Sequence, residues 1–159
     1  MDDGQTNQKT DDGQTIWKRM HPLKKLFLSL FLFLTLSNIV NAQKDYLGKW
    51  LSPSKKGVVE TYVQGNKLFG KLIWVQTERK DIYNKEVSLR NREVKGLNLF
   101  SNFTWSDNQY IDGKIYDPEE GSTYSCKMWL SEDKQTLNVR GYIGISIIGR
   151  TEKFTRYNK

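Results

Sequence analysis

Cysteine and histidine are almost absent from this chain, which has one residue of each type among 159. A single cysteine, Cys126, cannot form an intramolecular disulfide, so stability has to come from packing. The one histidine, His21, lies in an N-terminal segment that we expect to be removed. The remaining chain then lacks the usual general base at neutral pH, a Ser-His or Cys-His nucleophile pair and a histidine metal site. We therefore predict no catalytic residue, no metal, no cofactor and no enzymatic activity.

Long apolar runs are also lacking. The most apolar run covers residues 26–36, about eleven residues, whereas a membrane-spanning helix needs roughly 20. Lys24 and Lys25 precede this run, and the small-residue exit Val40-Asn41-Ala42 follows it. This order is typical of a secretory signal peptide, here residues 20–42. The mature chain is expected to begin at Gln43, to act outside the cytoplasm and to have no membrane span.

Residues 1–19 have no feature of a folded segment. They contain the sequence Asp-Asp-Gly-Gln-Thr twice, at 2–6 and 11–15, among polar residues that cannot build a core. We predict that they form a disordered extension, unless translation starts at Met20. The mature segment, 43–159, has a length that fits one domain with one modest core.

Neither sign of charge dominates the mature segment. It has twenty Lys and Arg against fourteen Asp and Glu, a net charge of about +6, and the two signs alternate along the chain. A nucleic-acid-binding protein would need a basic face or stripe instead. We expect a mixed surface and no nucleic-acid partner, while a protein partner stays open.

The dominant pattern is a series of short alternating segments separated by turn residues, which indicates antiparallel β-structure. The predicted strands are 47–51, 58–63, 68–75, 97–105, 110–116, 124–130, 136–142 and 145–157. Eight such strands favour an up-and-down antiparallel barrel, whose interior has room for one small ligand. A sandwich is the alternative. The charged segment 78–95 breaks the pattern and is predicted to lie across one mouth of the barrel, with a short helix at 87–93.

The alternation also assigns side chains to faces. In the strand 124–130, Tyr124, Cys126, Met128 and Leu130 share one face, which we predict to point inward. Cys126 is then a small buried apolar residue, and a reactive thiol is the less favoured interpretation.

The first and last strands of the predicted barrel carry a first resemblance. Gly48-Lys49-Trp50 in the first strand resembles the Gly-x-Trp motif of lipocalins and fatty-acid-binding proteins, in which a basic residue of the last strand pairs with the tryptophan. Arg156 occupies that place here. A guanidinium stacked on an indole contributes a cation–π energy of order 1 kcal/mol. The resemblance implies that Gly48, Trp50 and Arg156 close the barrel, a structural role.

Further motifs follow one another along residues 45–157. They are Leu47-Gly48-Lys49-Trp50, Leu89-Arg90-Asn91-Arg92, the run 113–118, the run 121–126, the run 139–146 and Gly149-Arg150-Thr151. Together they resemble the bacterial domain of unknown function 2147 family. The resemblance implies a small exported protein with a lipocalin-like fold, periplasmic or secreted, and no established reaction.

The motif residues include donors suited to an anionic ligand. The candidates are Arg90, Arg92, Tyr116, Arg140, Tyr142 and Arg150. An arginine fork matches a carboxylate or phosphate, so these residues are candidates for binding the head group of an amphiphile whose tail lies against barrel side chains. The competing interpretation is salt bridging to Glu60, Glu93, Asp117 or Glu152.

Three function classes therefore remain from the sequence, and an enzyme is the least favoured of them. The first is an exported barrel that binds a small apolar or anionic amphipathic ligand. The second is a structural or interaction protein of the cell envelope, such as an inhibitor or assembly factor, with a barrel filled by its own side chains.

The processing site is directly testable. If cleavage follows Ala42, protein recovered from outside the cytoplasm should begin at Gln43, with or without cyclisation to pyroglutamate, by N-terminal mass mapping. Intact chains beginning at Met1 in that fraction would contradict the signal-peptide assignment.

Overall fold

The computed structural model describes residues 42–145 and 147–158. The predicted signal peptide, apart from Ala42, and the predicted extension 1–19 lie outside these residues. Within the described part, no helix is long and apolar enough to cross a membrane.

Eight antiparallel strands form one closed up-and-down barrel in which each strand pairs with its neighbours in sequence. The strands are β1 (Gly48–Leu51), β2 (Gly57–Gln64), β3 (Lys67–Val75), β4 (Asn98–Ser106), β5 (Gln109–Asp117), β6 (Ser122–Leu130), β7 (Thr136–Tyr142) and β8 (Gly149–Arg156). Pairing of β1 with β8 closes the sheet. The predicted barrel is therefore confirmed, and the sandwich is excluded.

The last strand begins later than predicted. β8 starts at Gly149 rather than at residue 145. The Ile148 amide donates to the Ile145 carbonyl at 3.2 Å, so these residues form a turn. The β-branched isoleucines of this turn have high strand propensity, which explains why the sequence pattern extended the strand.

Tight turns and bulges shape the barrel. Asp107 and Asn108 join β4 to β5 with φ of 48° and 60°, the left-handed pair that two-residue hairpins require. Asn102 and Asp112 also have positive φ, and the strand register shifts beside each of them. Bulges of this kind increase bend and twist, which helps a sheet of eight strands to close.

The two ends of the barrel differ. We call the base the end formed by residues 42–47 and the connections 65–66, 107–108 and 131–135. We call the mouth the end formed by the connections 52–56, 76–97, 118–121 and 143–148.

Side chains fill the interior of the barrel. The core cluster consists of Tyr46, Trp50, Val59, Leu68, Leu72, Val94, Phe100, Phe103, Tyr110, Cys126, Met128, Leu137, Val139 and Phe154. Two glycines make room for its phenylalanine rings: a Cβ on Gly70 would overlap Phe100, and a Cβ on Gly113 would overlap Phe103. Of the four side chains that the alternation predicted to point inward, Cys126 and Met128 are fully buried, whereas Tyr124 and Leu130 are half-buried. Burial raises the pKa of the Cys126 thiol to about 12, so it is protonated at neutral pH.

Trp50 and Arg156 meet at the base. The guanidinium carbon of Arg156 lies 4.1 Å from the centre of the fully buried Trp50 ring. Arg156 also donates hydrogen bonds to the carbonyls of Asp45, Leu47 and Lys134. The Trp50 indole donates to the Tyr46 carbonyl at 3.1 Å. One stacked pair thus joins the N-terminal segment, β1, the β6–β7 turn and β8.

We expect Trp50→Ala to lower the free energy of unfolding by about 3–5 kcal/mol, because it empties a large buried volume. Arg156→Ala should cost less. The two effects should be non-additive in a double-mutant cycle measured by denaturant unfolding, since each variant removes the same stack. Strictly additive losses would show that the two side chains are not energetic partners.

Candidate functional site

The longest connection in the barrel, residues 76–97, folds over the mouth between β3 and β4. We call it the lid. Lys80 and Glu93 form an isolated antiparallel bridge, and their side chains pair at 2.7 Å, so the lid is a long hairpin. Val94 is 2% exposed and belongs to the barrel core, which anchors the returning arm of the lid.

The helix in the lid is shorter than the predicted 87–93. It is a single 3₁₀ turn, η1, at Val87–Leu89. The Asp81 amide donates to the Arg92 carbonyl at 3.0 Å, and the Val94 amide donates to the Arg79 carbonyl at 3.0 Å. These hairpin bonds hold residues 92–94 in extended backbone, so the helix cannot continue into them.

A fully buried carboxylate, Asp81, organises the lid. Its Oδ1 accepts a hydrogen bond from the Tyr116 hydroxyl at 2.6 Å, and its Oδ2 accepts one from the Asn84 amide at 2.8 Å. Arg92 donates to Oδ2 from Nε at 2.9 Å and lies 2.8 Å away at Nη2. We call these four residues the Asp81 cluster. A buried charge is tolerated only when paired and hydrogen-bonded in this way.

The cluster determines the protonation state of its members. Burial by itself would raise the pKa of Asp81, but the hydrogen bonds from Tyr116, Asn84 and Arg92, with the arginine charge, outweigh it and hold that pKa below its ordinary value. Burial and the bond to Asp81 raise the pKa of Tyr116. Asp81 is therefore ionised and Tyr116 is a neutral donor at neutral pH.

The cluster is positioned by β5 and by the turn that follows it. Tyr116 lies near the end of β5, where it alternates with Ile115, a residue that packs against the core. Asn84 also donates to the Tyr116 hydroxyl oxygen at 2.8 Å, so the lid is bound to β5 twice. Gly121, in the turn after β5, has φ of +63°, and a Cβ there would overlap the Tyr83 carbonyl. The lid thus packs directly on the β5–β6 turn.

A cleft of about 580 Å³ opens beside the cluster. Its lining residues are Asn84, Lys85, Glu86, Leu89, Arg92, Tyr116, Gly121 and Thr123. Lys85 and Arg92 supply two positive charges against the one negative charge of Glu86. Leu89 supplies apolar surface and Thr123 supplies a hydroxyl, while the Tyr116 hydroxyl proton is already donated to Asp81. This combination can hold a small molecule that has an anionic and an apolar part.

A smaller cavity, about 150 Å³, lies at the base. It is lined by Ala42, Asp45, Tyr46, Trp105, Asn108, Leu130, Ser131, Glu132 and Lys134. Lys134 and Asp45 pair across it at 2.7 Å. Among the described residues, no group of three or more His, Cys, Asp or Glu side chains is arranged to hold a metal ion.

The six residues chosen from the sequence do not form one site. Arg92 and Tyr116 line the cleft together, and the guanidinium carbon of Arg92 lies 5.4 Å from the centre of the Tyr116 ring. Arg90 is not part of the cleft lining and donates from Nε to the Asn84 carbonyl at 2.8 Å. Arg90 therefore supports the Asp81 cluster from the lid backbone.

The other three candidates lie on the β7–β8 hairpin. Arg140 donates to the Thr151 hydroxyl at 3.1 Å and to the Ile147 carbonyl at 2.8 Å. Arg150 pairs with Glu152 at 2.5 Å, the salt bridge that the competing interpretation had named. Tyr142 ends β7 and is paired in register with Gly149.

Sequence reasoning missed Asp81 and Asn84. Both occur in a charged segment without alternation, which has the composition of a solvated loop. The partners Arg92 and Tyr116 are 11 and 35 residues away from Asp81, so no local motif marks this carboxylate as buried.

The fold and the residues at its base define the class of protein: a lipocalin-like barrel. A solved structure described as "Protein HP1028 from the human pathogen Helicobacter pylori belongs to the lipocalin family" matches with a TM-score of 0.65 and 22% identity, over 70% of this chain and 82% of that one. At this identity the likeness concerns the fold. No match was found among curated proteins.

Residues 48–156 match the model of a family described as "Uncharacterized protein conserved in bacteria (DUF2147)". This match covers the whole barrel, from the first residue of β1 to the last of β8. The chain belongs to this family.

The buried carboxylate should make stability depend on pH. The folded pKa of Asp81 lies below its ordinary value of 3.8, so its stabilisation is present above about pH 4 and is lost as the pH falls through the folded pKa. Asp81→Asn should lower the free energy of unfolding at pH 7 by about 1.5–3 kcal/mol, because charged hydrogen bonds are lost. The deficit should shrink in acid.

Asp107→Asn is the matched control, since it makes the same change in an exposed turn. Urea unfolding between pH 2 and 7 measures both variants, with the scale of the shift set by linkage. A deficit of Asp81→Asn that is constant over that range would mean that the ionised form of Asp81 is not what stabilises the lid.

Proposed function

We propose that this protein is an exported binding protein for a small anionic amphipathic molecule, which it holds in the cleft beside the Asp81 cluster. The observation that carries the proposal is the lining of that cleft, where two cations outnumber one carboxylate and stand next to an apolar side chain and the Thr123 hydroxyl. The signal-peptide pattern of residues 20–42 supports a location outside the cytoplasm.

The cluster supports head-group binding by holding Arg92 in one orientation. The guanidinium is bound to Asp81 on one side, yet 36% of its side chain stays exposed. Such a held arginine loses little conformational freedom when an anion binds. Lys85 is exposed on the same cleft and has no ion pair with another described residue, so its charge is open to an anion.

The filled interior supports a ligand whose apolar part lies at the mouth. Trp50, Phe100, Phe103, Tyr110 and Met128 occupy the barrel with exposures of 0–2%. A tail along the barrel axis would have to displace these side chains, whereas Leu89 and the Tyr116 ring offer apolar contact within the cleft. The proposed ligand therefore lies along the rim.

The same filled interior favours a second candidate, a structural or interaction protein of the cell envelope. Native mass spectrometry of protein recovered from its own envelope separates the two. A retained small molecule supports binding, and a retained protein partner with no small molecule supports the alternative.

Lys85→Met should weaken binding of a fluorescent fatty acid about tenfold, because it removes one charge-assisted contact while keeping most of the side-chain volume. Displacement titration measures the effect. Lys153→Met is the control, since it makes the same change on an exposed position of β8 away from the cleft. A fatty alcohol of equal length should bind both variants equally.

A second variant tests the arginine without leaving a buried carboxylate unpaired. Asp81→Asn combined with Arg92→Met should fold and bind the fatty acid more weakly still. Absence of saturable binding to the unaltered protein at micromolar concentration would sink the proposal.

A further inference from the structure

Exposed large apolar side chains are concentrated at one end of the barrel. Ten such side chains are well exposed in the described residues, and nine of them lie at the mouth, with Val63 the exception. The nine are Trp74, Ile82, Tyr83, Val87, Leu89, Ile143, Ile145, Ile147 and Ile148. Single exposed apolar residues are ordinary on a soluble protein, but a concentration of this kind marks an interaction surface.

The most exposed of them form the turn between β7 and β8. Ile143, Ile145, Ile147 and Ile148 are 73%, 61%, 80% and 69% exposed, and we call them the isoleucine tip. The turn is braced from below, since Arg140 donates to the Ile147 carbonyl and the Ile148 amide donates to the Ile145 carbonyl. The four side chains are therefore presented outward from a held backbone.

The charge around the tip is positive. From residue 135 to residue 151 the chain has Arg140 and Arg150 and no Asp or Glu. Arg150 pairs with Glu152, just below the tip, and still exposes 87% of its side chain. In the lid, Lys85 and Arg90 flank the segment that contains the exposed Val87 and Leu89, in which Glu86 is the one acidic residue. The whole chain has a net charge of +7.

The shape and size of the tip favour a lipid surface over a folded partner. A stable protein interface uses about 20–30 residues on each side, far more than one hairpin turn supplies. Apolar side chains at a projecting end, with cations just behind them, match the arrangement by which peripheral proteins enter the boundary between headgroups and acyl chains. Cations at that depth gain from anionic headgroups.

We propose that the mouth of this barrel docks on an anionic lipid bilayer, with the isoleucine tip inserted among the acyl chains and the lid residues at the headgroup level. The cleft would then open at the membrane surface. The isoleucine tip is not part of the cleft lining, so a test of its insertion is independent of ligand binding in the cleft.

Because the native thiol is buried, a fluorophore can be attached at one chosen surface position of the full chain. Cys126 is fully buried and protonated, so a cysteine introduced at the surface can be labelled selectively. Ile147→Cys places an environment-sensitive fluorophore in the tip, and Val63→Cys places it at the opposite end as a control. Both proteins retain residues 26–36, so any membrane affinity of that apolar run is the same in each.

The probe is a vesicle of equal parts phosphatidylglycerol and phosphatidylcholine. We expect the emission of the label at 147 to shift to the blue and to be quenched by nitroxides on the acyl chains. The emission of the label at 63 should stay unchanged. Adding Ile143→Asn and Ile145→Asn to the 147-labelled protein should raise the lipid concentration for half-maximal response by about tenfold or more. Adding Val63→Asn instead should leave it unchanged.

Other outcomes would overturn the proposal. They are no response at 147, equal responses at 63 and 147, or a blue shift without vesicles that grows with protein concentration, which would mean that a second copy of the chain covers the tip. An equal response on pure phosphatidylcholine, insensitive to salt, would overturn the requirement for anionic lipid.

Discussion

The barrel depends on the contact between Trp50 and Arg156, because the seam that closes the sheet is its thinnest part. β1 and β8 share two register pairs, Trp50 with Arg156 and Leu51 with Thr155, whereas β2 and β3 share eight. Because the seam has so few backbone pairs, it needs support from side chains. The stacked guanidinium supplies it, and it also satisfies carbonyls of the N-terminal segment and of the β6–β7 turn. A sheet without this seam would have two exposed edges.

The filled core has consequences for function. Glycines opposite phenylalanines, at Gly70 and Gly113, allow the rings to cross the barrel where an alanine would collide with them. The interior is therefore a packed core. Binding that needs accessible groups therefore has to use the surface. At the mouth the connections are longest and the surface is most apolar.

The lid shows how a long connection can be ordered with only one isolated bridge and one 3₁₀ turn. Val94 anchors it to the core, and the Asp81 cluster binds its hairpin to Tyr116 of β5. The same bonds orient Arg92 toward the cleft. The Asp81 cluster thus connects the stability of the lid to the charge presented at the mouth, and Arg140 has a comparable structural role beneath the isoleucine tip.

Local pattern was enough to predict the barrel. Alternation in segments such as 124–130, turn residues such as Asp107-Asn108 and the Gly-x-Trp motif report on neighbours along the chain or on one face of a strand, and the structure has eight strands in the predicted order. The pattern failed at the isoleucine tip and in the lid. High strand propensity extended β8 too far, and the lid hairpin replaced most of the predicted helix.

What only the tertiary structure decided is which charged residues act together. Arg90, Arg92, Arg140 and Arg150 look equivalent in the sequence, yet two lie on the lid and two on the β7–β8 hairpin. Asp81 resembles a solvated acid until the fold brings Tyr116, Asn84 and Arg92 around it. By itself the sequence determined the number, order and faces of the strands, because these follow from interactions between near neighbours. The sites depend on contacts between distant segments, and those exist only once the barrel has closed.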